Sequence, residues 1–268
     1  MSRETTAKKI QVHGNKIRYL DYDNFSSKTS ENLVLLHGIG ASAERWSNVI
    51  PFLHKHFRVI VPDIIGFGYS DKPTVEYNMP FFVKFLEDFL NTLGVKKASI
   101  VGSSFGGLVA AEFAIKNTNM VNKLILVSPA GTMKTSTKTL EEYILAALYP
   151  THDNVWRAFI NMAFDPRTVT EQTIEEFIDR MKLPNAKYAF MSTMIGIRNT
   201  TNLSSRLTKI LSPTIIVCGE QDEMIPVKCS EDYRNIPNSN LHVIPKCGHT
   251  PFTEKPEVFS KIAIDFLR

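Results

Sequence analysis

A serine lies between two glycines at residues 102–106, where a predicted strand over residues 98–101 meets a helix-prone segment over residues 108–116. For the hydroxyl of Ser104 to project from such a turn, its backbone must be strained, and the strand and helix must almost touch beside it. Only residues with little or no side chain fit two positions before and two after, as Gly102 and Gly106 do. The pattern predicts a nucleophile elbow, although these five residues alone also fit a glycine turn that merely needs room to pack.

An aspartate and a histidine follow Ser104 in the chain, each after a predicted strand. Asp222 comes after an apolar strand over residues 213–218, and His249 after another over residues 240–245. The carboxyl ends of parallel strands meet at one edge of a sheet, so we expect the three side chains there. Since a serine needs a base to take its proton, and the base needs an orienting carboxylate, the order predicts Ser104 as nucleophile, His249 as general base and Asp222 as carboxylate.

Strands and helices alternate along most of the 268 residues, which favours an α/β fold with a mostly parallel central sheet and helices on both faces. An opening hairpin is predicted over residues 8–12 and 16–21, and helices over 43–53 and 79–93. The alternation stops between residues 131 and 205, which are helix-prone throughout. We therefore expect a core over residues 1–130 and 206–268, with residues 131–205 inserted as a helical cap above the catalytic ends of the strands.

Almost the whole chain resembles the α/β-hydrolases. Besides the elbow, the resemblance is carried by residues 33–40 (Leu-Val-Leu-Leu-His-Gly-Ile-Gly), Trp46, and residues 59–73, 127–131 and 248–256. These segments are similar to those of small esterases, monoacylglycerol lipase-like enzymes and the carbon–carbon bond hydrolases of aromatic-ring degradation. The resemblance implies the fold more specifically than the substrate, because one fold supports many chemistries.

The oxyanion of a tetrahedral intermediate needs backbone N–H donors. The residue after the nucleophile, Phe105, is expected to supply one at the start of a helix, where the helix dipole also favours negative charge. The resemblance implies that Ile39 supplies the second. His37 is interpreted as a histidine that orients this loop, since the chemistry needs only one base.

The predicted cap is rich in methionine and aromatic residues, which would give the site an adaptable apolar lining. Residues expected to line a substrate pocket are Met162, Phe190, Met191, Met194 and Arg198. The alternative reading is that the apolar members pack the cap onto the core and that Arg198 is a surface charge. An apolar acyl or aryl group is the part of a substrate that such a pocket would suit.

Composition argues against several classes of function. The net charge of +4 and the lack of a dense basic patch give little support to nucleic-acid binding. No apolar run is long enough to span a bilayer, and the amino terminus lacks the apolar core of a signal peptide. Neither a metal-ligand spacing nor a glycine-rich phosphate loop is present, so no metal or cofactor is expected. Three cysteines, an odd number, favour reduced thiols and a cytoplasmic protein. Nothing in the sequence indicates the oligomeric state.

These observations predict a serine hydrolase that cleaves carboxylic esters with an apolar acyl or aryl group through an acyl-enzyme. A serine nucleophile argues against relatives that use aspartate or cysteine. A carbon–carbon bond hydrolase acting on a vinylogous diketone uses the same triad and remains an alternative. Such enzymes commonly carry a tryptophan-bearing segment after the histidine, where this chain has Thr250, but Arg198 would supply a cation for their substrate's carboxylate. Thioesterase, lactonase and non-catalytic ligand-binding readings also remain open.

Overall fold

The computed structural model describes residues 7–23, 31–200 and 203–268, which build one eight-stranded sheet. Its strands are β1 (Lys8–Val12), β2 (Asn15–Tyr22), β3 (Asn32–Leu36), β4 (Arg58–Pro62), β5 (Ala98–Ser103), β6 (Val121–Val127), β7 (Thr214–Gly219) and β8 (Ser239–Ile244). They lie in the order β1-β2-β4-β3-β5-β6-β7-β8. β2 pairs antiparallel with β1 and β4, and every other pair is parallel. The mostly parallel sheet predicted from the sequence is confirmed.

The central strands are continuous apolar runs because both of their faces are covered. In β3, Leu33, Val34, Leu35 and Leu36 are all fully buried. Successive side chains alternate between the faces, so Val34 and Leu36 join one hydrophobic cluster while Leu33 and Leu35 join another. A strand of this composition fits only in the interior of a layered α/β structure.

Helices pack on both faces of the sheet. They are α1 (Ile50–Leu53), α2 (Met79–Thr92), α3 (Phe105–Lys116), α4 (Lys138–Leu148), α5 (His152–Met162), α6 (Glu171–Lys182), α7 (Ala186–Arg198), α8 (Leu203–Arg206), α9 (Val227–Ser230), α10 (Pro251–Glu254) and α11 (Pro256–Leu267). Apolar side chains of α2 and α3 lie in the cluster that contains Val34, and those of α1 and α11 lie in the cluster that contains Leu33.

The helix expected over residues 43–53 is interrupted. The chain forms a short 3-10 turn over Ala43–Trp46 and then α1 over Ile50–Leu53. An unbroken α-helix would require residue 51 to donate its N–H to the carbonyl of Ser47, and Pro51 has no N–H to donate. The proline instead lies in the first turn of α1, where no intrahelical donor is needed.

The inserted helices α4 to α8 lie between β6 and β7. Threonines begin three of them: the side chains of Thr137, Thr151 and Thr170 accept hydrogen bonds from backbone N–H groups in the first turns of α4, α5 and α6. Residues 201 and 202, near the end of the predicted cap, lie outside the described residues. The insertion of a helical segment is confirmed, while residues 131–205 as a separate unit remain a prediction.

Candidate active site

Ser104 occupies a strained turn between β5 and α3. Its φ is 54° and its ψ is −116°, a region that residues with side chains rarely adopt. A Cβ on Gly102 would lie 2.3 Å from the carbonyl oxygen of Gly106, and a Cβ on Gly106 would lie 2.4 Å from that of Leu36. Both glycines are therefore required by backbone contact, as the sequence pattern implies. The Ser104 N–H donates to the carbonyl of Val127, 2.9 Å away, which ties the turn to β6.

Asp222 and His249 are joined by a buried hydrogen bond. Nδ1 of His249 lies 2.9 Å from Oδ2 of Asp222, and Oδ1 of Asp222 accepts from the backbone N–H groups of Met224 and Ile225 at 3.0 and 2.8 Å. With Nδ1 donating to the carboxylate, Nε2 of His249 is left to accept a proton. Ser104 and His249 line the same cavity without a hydrogen bond between their side chains, and such contacts often tighten only when substrate binds.

The two candidate oxyanion donors flank Ser104. Phe105 is the first residue of α3, so its N–H has no acceptor within the helix. Ile39 lies in the loop after β3, and this loop and Phe105 line the cavity together with Ser104. Across residues 7–23, 31–200 and 203–268, no group accepts a hydrogen bond from either amide. Both are therefore available to a substrate oxygen.

His37 has both ring nitrogens occupied. Its Nε2 accepts from the N–H of Ile64 at 3.0 Å, so the proton lies on Nδ1, which donates to the carbonyl of Gly38 at 2.8 Å. Complete burial lowers the pKa of His37 below its usual value and keeps the ring neutral. This arrangement agrees with an orienting role for His37 and leaves His249 as the base.

A cavity of about 750 Å³ lies between the inserted helices and the carboxyl ends of the strands. The pocket residues expected from the sequence that line it are Met162, Met191, Met194 and Arg198. Phe190 does not line the cavity. Its fully buried ring packs between the loop after β3 and Tyr143, and a Cβ on Gly40 would lie 3.4 Å from it. Phe190 therefore packs behind the residues that line the cavity.

Two further arginines in the cavity wall were missed by the sequence analysis. Arg180 is 3% exposed and forms a long ion pair of 3.6 Å with Glu176, and its Nε has no hydrogen-bond partner among the described residues. Arg45 faces the ring of Phe159, with 5.8 Å between the guanidinium carbon and the ring centroid, and burial lowers its pKa. Within α6, Arg180 adjoins the apolar stripe of Ile174, Phe177 and Met181, and a charge beside such a stripe is the signal that would have identified it.

Residues 31–256 match the family model for the α/β hydrolase fold. The chain belongs to this family. Among its relatives is 2-hydroxy-6-oxo-6-(2'-aminophenyl)hexa-2,4-dienoic acid hydrolase of Metapseudomonas resinovorans, 29% identical over 96% of this chain and 89% of that protein. Another is 2-hydroxy-6-oxononadienedioate/2-hydroxy-6-oxononatrienedioate hydrolase of Burkholderia vietnamiensis, 28% identical over 100% of this chain and 97% of that protein. The solved structure of a meta-cleavage product hydrolase from Pseudomonas fluorescens superimposes with a TM-score of 0.85 at 27% identity, covering 97% of each chain.

This α/β hydrolase is an enzyme, but the prediction that it cleaves carboxylic esters is wrong. The relatives above are named as hydrolases of dienoic acids and of meta-cleavage products, which corresponds to the alternative left open by the sequence. The error has a chemical cause. Serine, histidine and aspartate are equally suited to both reactions, so the triad carries no information about which bond breaks.

Two other features bear on the expected partners of this hydrolase. No helix in the described part of the chain has the length and apolar character needed to cross a membrane. Nowhere in residues 7–23, 31–200 and 203–268 do three or more His, Cys, Asp or Glu side chains form a group that could hold a metal ion.

Proposed function

We propose that this hydrolase cleaves a carbon–carbon bond in a 2-hydroxy-6-oxo-dienoate, the class of compound known as a meta-cleavage product. The main support is the similarity, over nearly the whole chain, to relatives named for that reaction. In the proposed mechanism Ser104 is the nucleophile, His249 the general base, Asp222 its orienting carboxylate, and the Ile39 and Phe105 amides bind the oxyanion.

The substrate itself provides the stabilisation that carbon–carbon cleavage needs. An ester releases an alcohol, whereas this bond releases a carbanion, which must be delocalised. Ketonisation moves the proton of the C2 hydroxyl to C5, which leaves a ketone at C2 conjugated to the C3–C4 double bond, next to the C5–C6 single bond. Electrons released from that bond then move to the C2 oxygen and leave an enolate.

Each step uses a group already in the site. His249 takes the hydroxyl proton as Ser104 attacks the C6 carbonyl, and the resulting oxyanion is bound by the two amides. The C5–C6 bond breaks, the enolate receives the proton from His249, and the C6 acyl group remains on the Ser104 oxygen. His249 then takes a proton from water, which attacks the acyl-enzyme. The proton passes from His249 to the Ser104 oxygen as the carboxylic acid is released.

The cavity has the chemical character that such a substrate requires. The side chains of Met162, Met191 and Met194 provide an adaptable apolar surface for the group attached to C6. Arg45 and Arg180 provide positive charge. Arg180 makes a long ion pair of 3.6 Å to the partly buried Glu176, and its Nε has no partner among the described residues. A buried guanidinium with an unused donor favours binding of a carboxylate, which every dienoate of this class carries.

The direct test is hydrolysis of a 6-phenyl dienoate, followed through the loss of absorbance of the conjugated system. Ser104→Ala should reduce turnover by about 10⁴-fold or more while the protein remains folded by circular dichroism. Ser47→Ala, which changes an exposed serine outside the cavity, is the matched control and should retain activity.

Labelling with a fluorophosphonate separates the two ways in which the proposal can fail. A labelled Ser104 in an enzyme that leaves the dienoate intact would retain the nucleophile but contradict the substrate class. Turnover of the dienoate by Ser104→Ala at more than a few per cent of the wild-type rate would contradict the assignment of the nucleophile.

A further inference from the structure

The hydroxyl of Tyr143 reaches from the inserted helices to the loop after β3. Tyr143 lies on α4 and is buried, and its hydroxyl donates a hydrogen bond of 2.7 Å to the carbonyl oxygen of Ile39, 104 residues earlier in the chain. The amide of the same residue, Ile39, is the proposed second oxyanion donor. A side chain of the insertion thus contacts the backbone that would bind the developing charge.

Hydrogen bonds hold the peptide groups on both sides of Ile39, and the Ala41 N–H donates to the Gly38 carbonyl at 3.2 Å. On the amino-terminal side of Ile39, Nδ1 of His37 donates to the carbonyl of Gly38. On the carboxy-terminal side of Ile39, Gly40 has a φ of 70°, and a Cβ on it would lie 3.3 Å from the ring of Phe177. Among the described residues, the Tyr143 hydroxyl is the one group that donates to the carbonyl of Ile39. The Ile39 N–H lies in the same planar peptide group as the Gly38 carbonyl, and Tyr143 holds the next peptide group, on the other side of the Ile39 Cα. With both peptide groups held, the Ile39 Cα and its N–H are fixed in position.

We propose that Tyr143 is a positioning residue that sets the direction of the Ile39 amide in the oxyanion hole. The inference rests on the proposed function only in taking Ser104 as the nucleophile, and it applies to any acyl or phosphonyl group that Ser104 attacks. Oxyanion donors are effective because they are already oriented when charge develops, and a displacement of about 1 Å costs as much as 10²-fold in rate.

The pKa of Tyr143 is compatible with a hydroxyl that always carries the proton it donates to Ile39. Burial raises the pKa of Tyr143 to about 12, so the hydroxyl keeps its proton near neutral pH. The nearby guanidinium groups of Arg45 and Arg180 act in the opposite direction and are outweighed by the burial. The hydrogen bond to Ile39 should therefore be independent of pH near neutrality.

Tyr143→Phe removes the hydroxyl and keeps the ring. We expect kcat on the dienoate to fall by about 10- to 100-fold while KM changes by less than about 3-fold, since the interaction acts on the transition state. The rate of fluorophosphonate labelling should fall by a similar factor, because the phosphonyl oxygen uses the same amides. Tyr149→Phe, an exposed tyrosine at the end of the same helix, is the matched control and should change neither rate.

The outcomes separate positioning from substrate binding. A rise in KM with unchanged kcat and unchanged labelling would overturn the proposal and make Tyr143 a group that contacts the dienoate. Unchanged kcat, KM and labelling would overturn it as well. If wild type fails to cleave the dienoate but is labelled, the proposed substrate is wrong, and the labelling rates still test Tyr143.

A second variant keeps the test valid if Tyr143→Phe folds poorly. Gly40→Ala adds a methyl group at a positive φ, 3.3 Å from Phe177, and disturbs the same loop from its other end. It should reproduce the loss of kcat and of labelling with little change in KM. A Gly40→Ala enzyme with wild-type labelling would show that the loop tolerates displacement and would contradict the inference.

Discussion

At the scale of single residues, the candidate site combines a strained serine with a buried arginine that is incompletely paired. Ser104 is held at a positive φ by contacts that only glycine permits on either side. Arg180 is almost wholly buried, its ion pair with Glu176 is long at 3.6 Å, and its Nε has no partner among the described residues. A strained serine and an incompletely paired buried charge both lower stability. The proposed roles in catalysis and substrate binding account for both.

We expect Arg180→Gln to raise KM for a dienoate by about 10- to 100-fold, because a charge-assisted hydrogen bond to a carboxylate is worth about 1.5–3 kcal/mol. The methyl ester of the same dienoate lacks the charge and should bind both enzymes about equally. Arg167→Gln changes an exposed arginine of the insertion and is the control. An equal loss for acid and methyl ester would contradict the role given to Arg180, as would no loss for either.

Replacement of Asp222 tests the orientation of the base. Asp222→Asn keeps the size of the side chain but favours the wrong tautomer of His249, and in serine hydrolases generally this costs about 10⁴-fold in kcat. Steady-state kinetics of wild type, Asp222→Asn and the surface control Asp265→Asn would measure the effect. Near-normal kcat in Asp222→Asn would show that this carboxylate does not orient the base.

At the scale of elements, the loop that carries His249 is attached to the insertion. The His249 N–H donates to the carbonyl of Met162 at 2.8 Å. The buried carboxylate of Glu254, on α10, accepts from the N–H groups of Gly248 at 3.1 Å and Phe164 at 2.8 Å. The segment that follows α5 is therefore hydrogen-bonded to the catalytic loop by contacts that do not involve substrate.

Glu254→Ala should lower the free energy of unfolding by about 2–4 kcal/mol, because the buried N–H of Gly248 and the N–H of Phe164 would lose their acceptor. Denaturant unfolding monitored by circular dichroism gives this difference. Glu257→Ala, at an exposed position one turn further along, should change it by less than about 0.5 kcal/mol. A loss for Glu254→Ala no larger than for Glu257→Ala would mean that the carboxylate does not hold the two segments together.

At the scale of the whole molecule, the sequence predicts what depends on neighbours in the chain. The glycines around Ser104 and the residues just after β7 and β8 follow from local patterns, so the triad could be proposed from order and spacing alone. The apolar runs of the strands likewise predict the sheet. In each case, the residues that make the feature recognisable lie within a few positions of it in the chain.

Contacts between distant segments could not be predicted in this way. The hydrogen bond from Tyr143 to Ile39 spans 104 residues, and the one from Phe164 to Glu254 spans 90. Phe190 was expected to line the pocket because the predicted cap is rich in methionine and aromatic residues. Its ring instead packs beside Gly40, outside the cavity. The substrate class was also beyond the sequence reasoning, since it depends on which side chains meet in the cavity.

The central claim, cleavage of a carbon–carbon bond through Ser104, is tested most directly by trapping the covalent intermediate. The enzyme is mixed with a 6-phenyl dienoate, quenched with acid within the first turnover, and analysed by intact-protein and peptide mass spectrometry. We predict a benzoyl group on the peptide that contains Ser104, together with release of the five-carbon dienoate. Release of both products with no acyl group on Ser104 at any quench time would contradict the covalent mechanism, and an intact dienoate would contradict the proposed reaction.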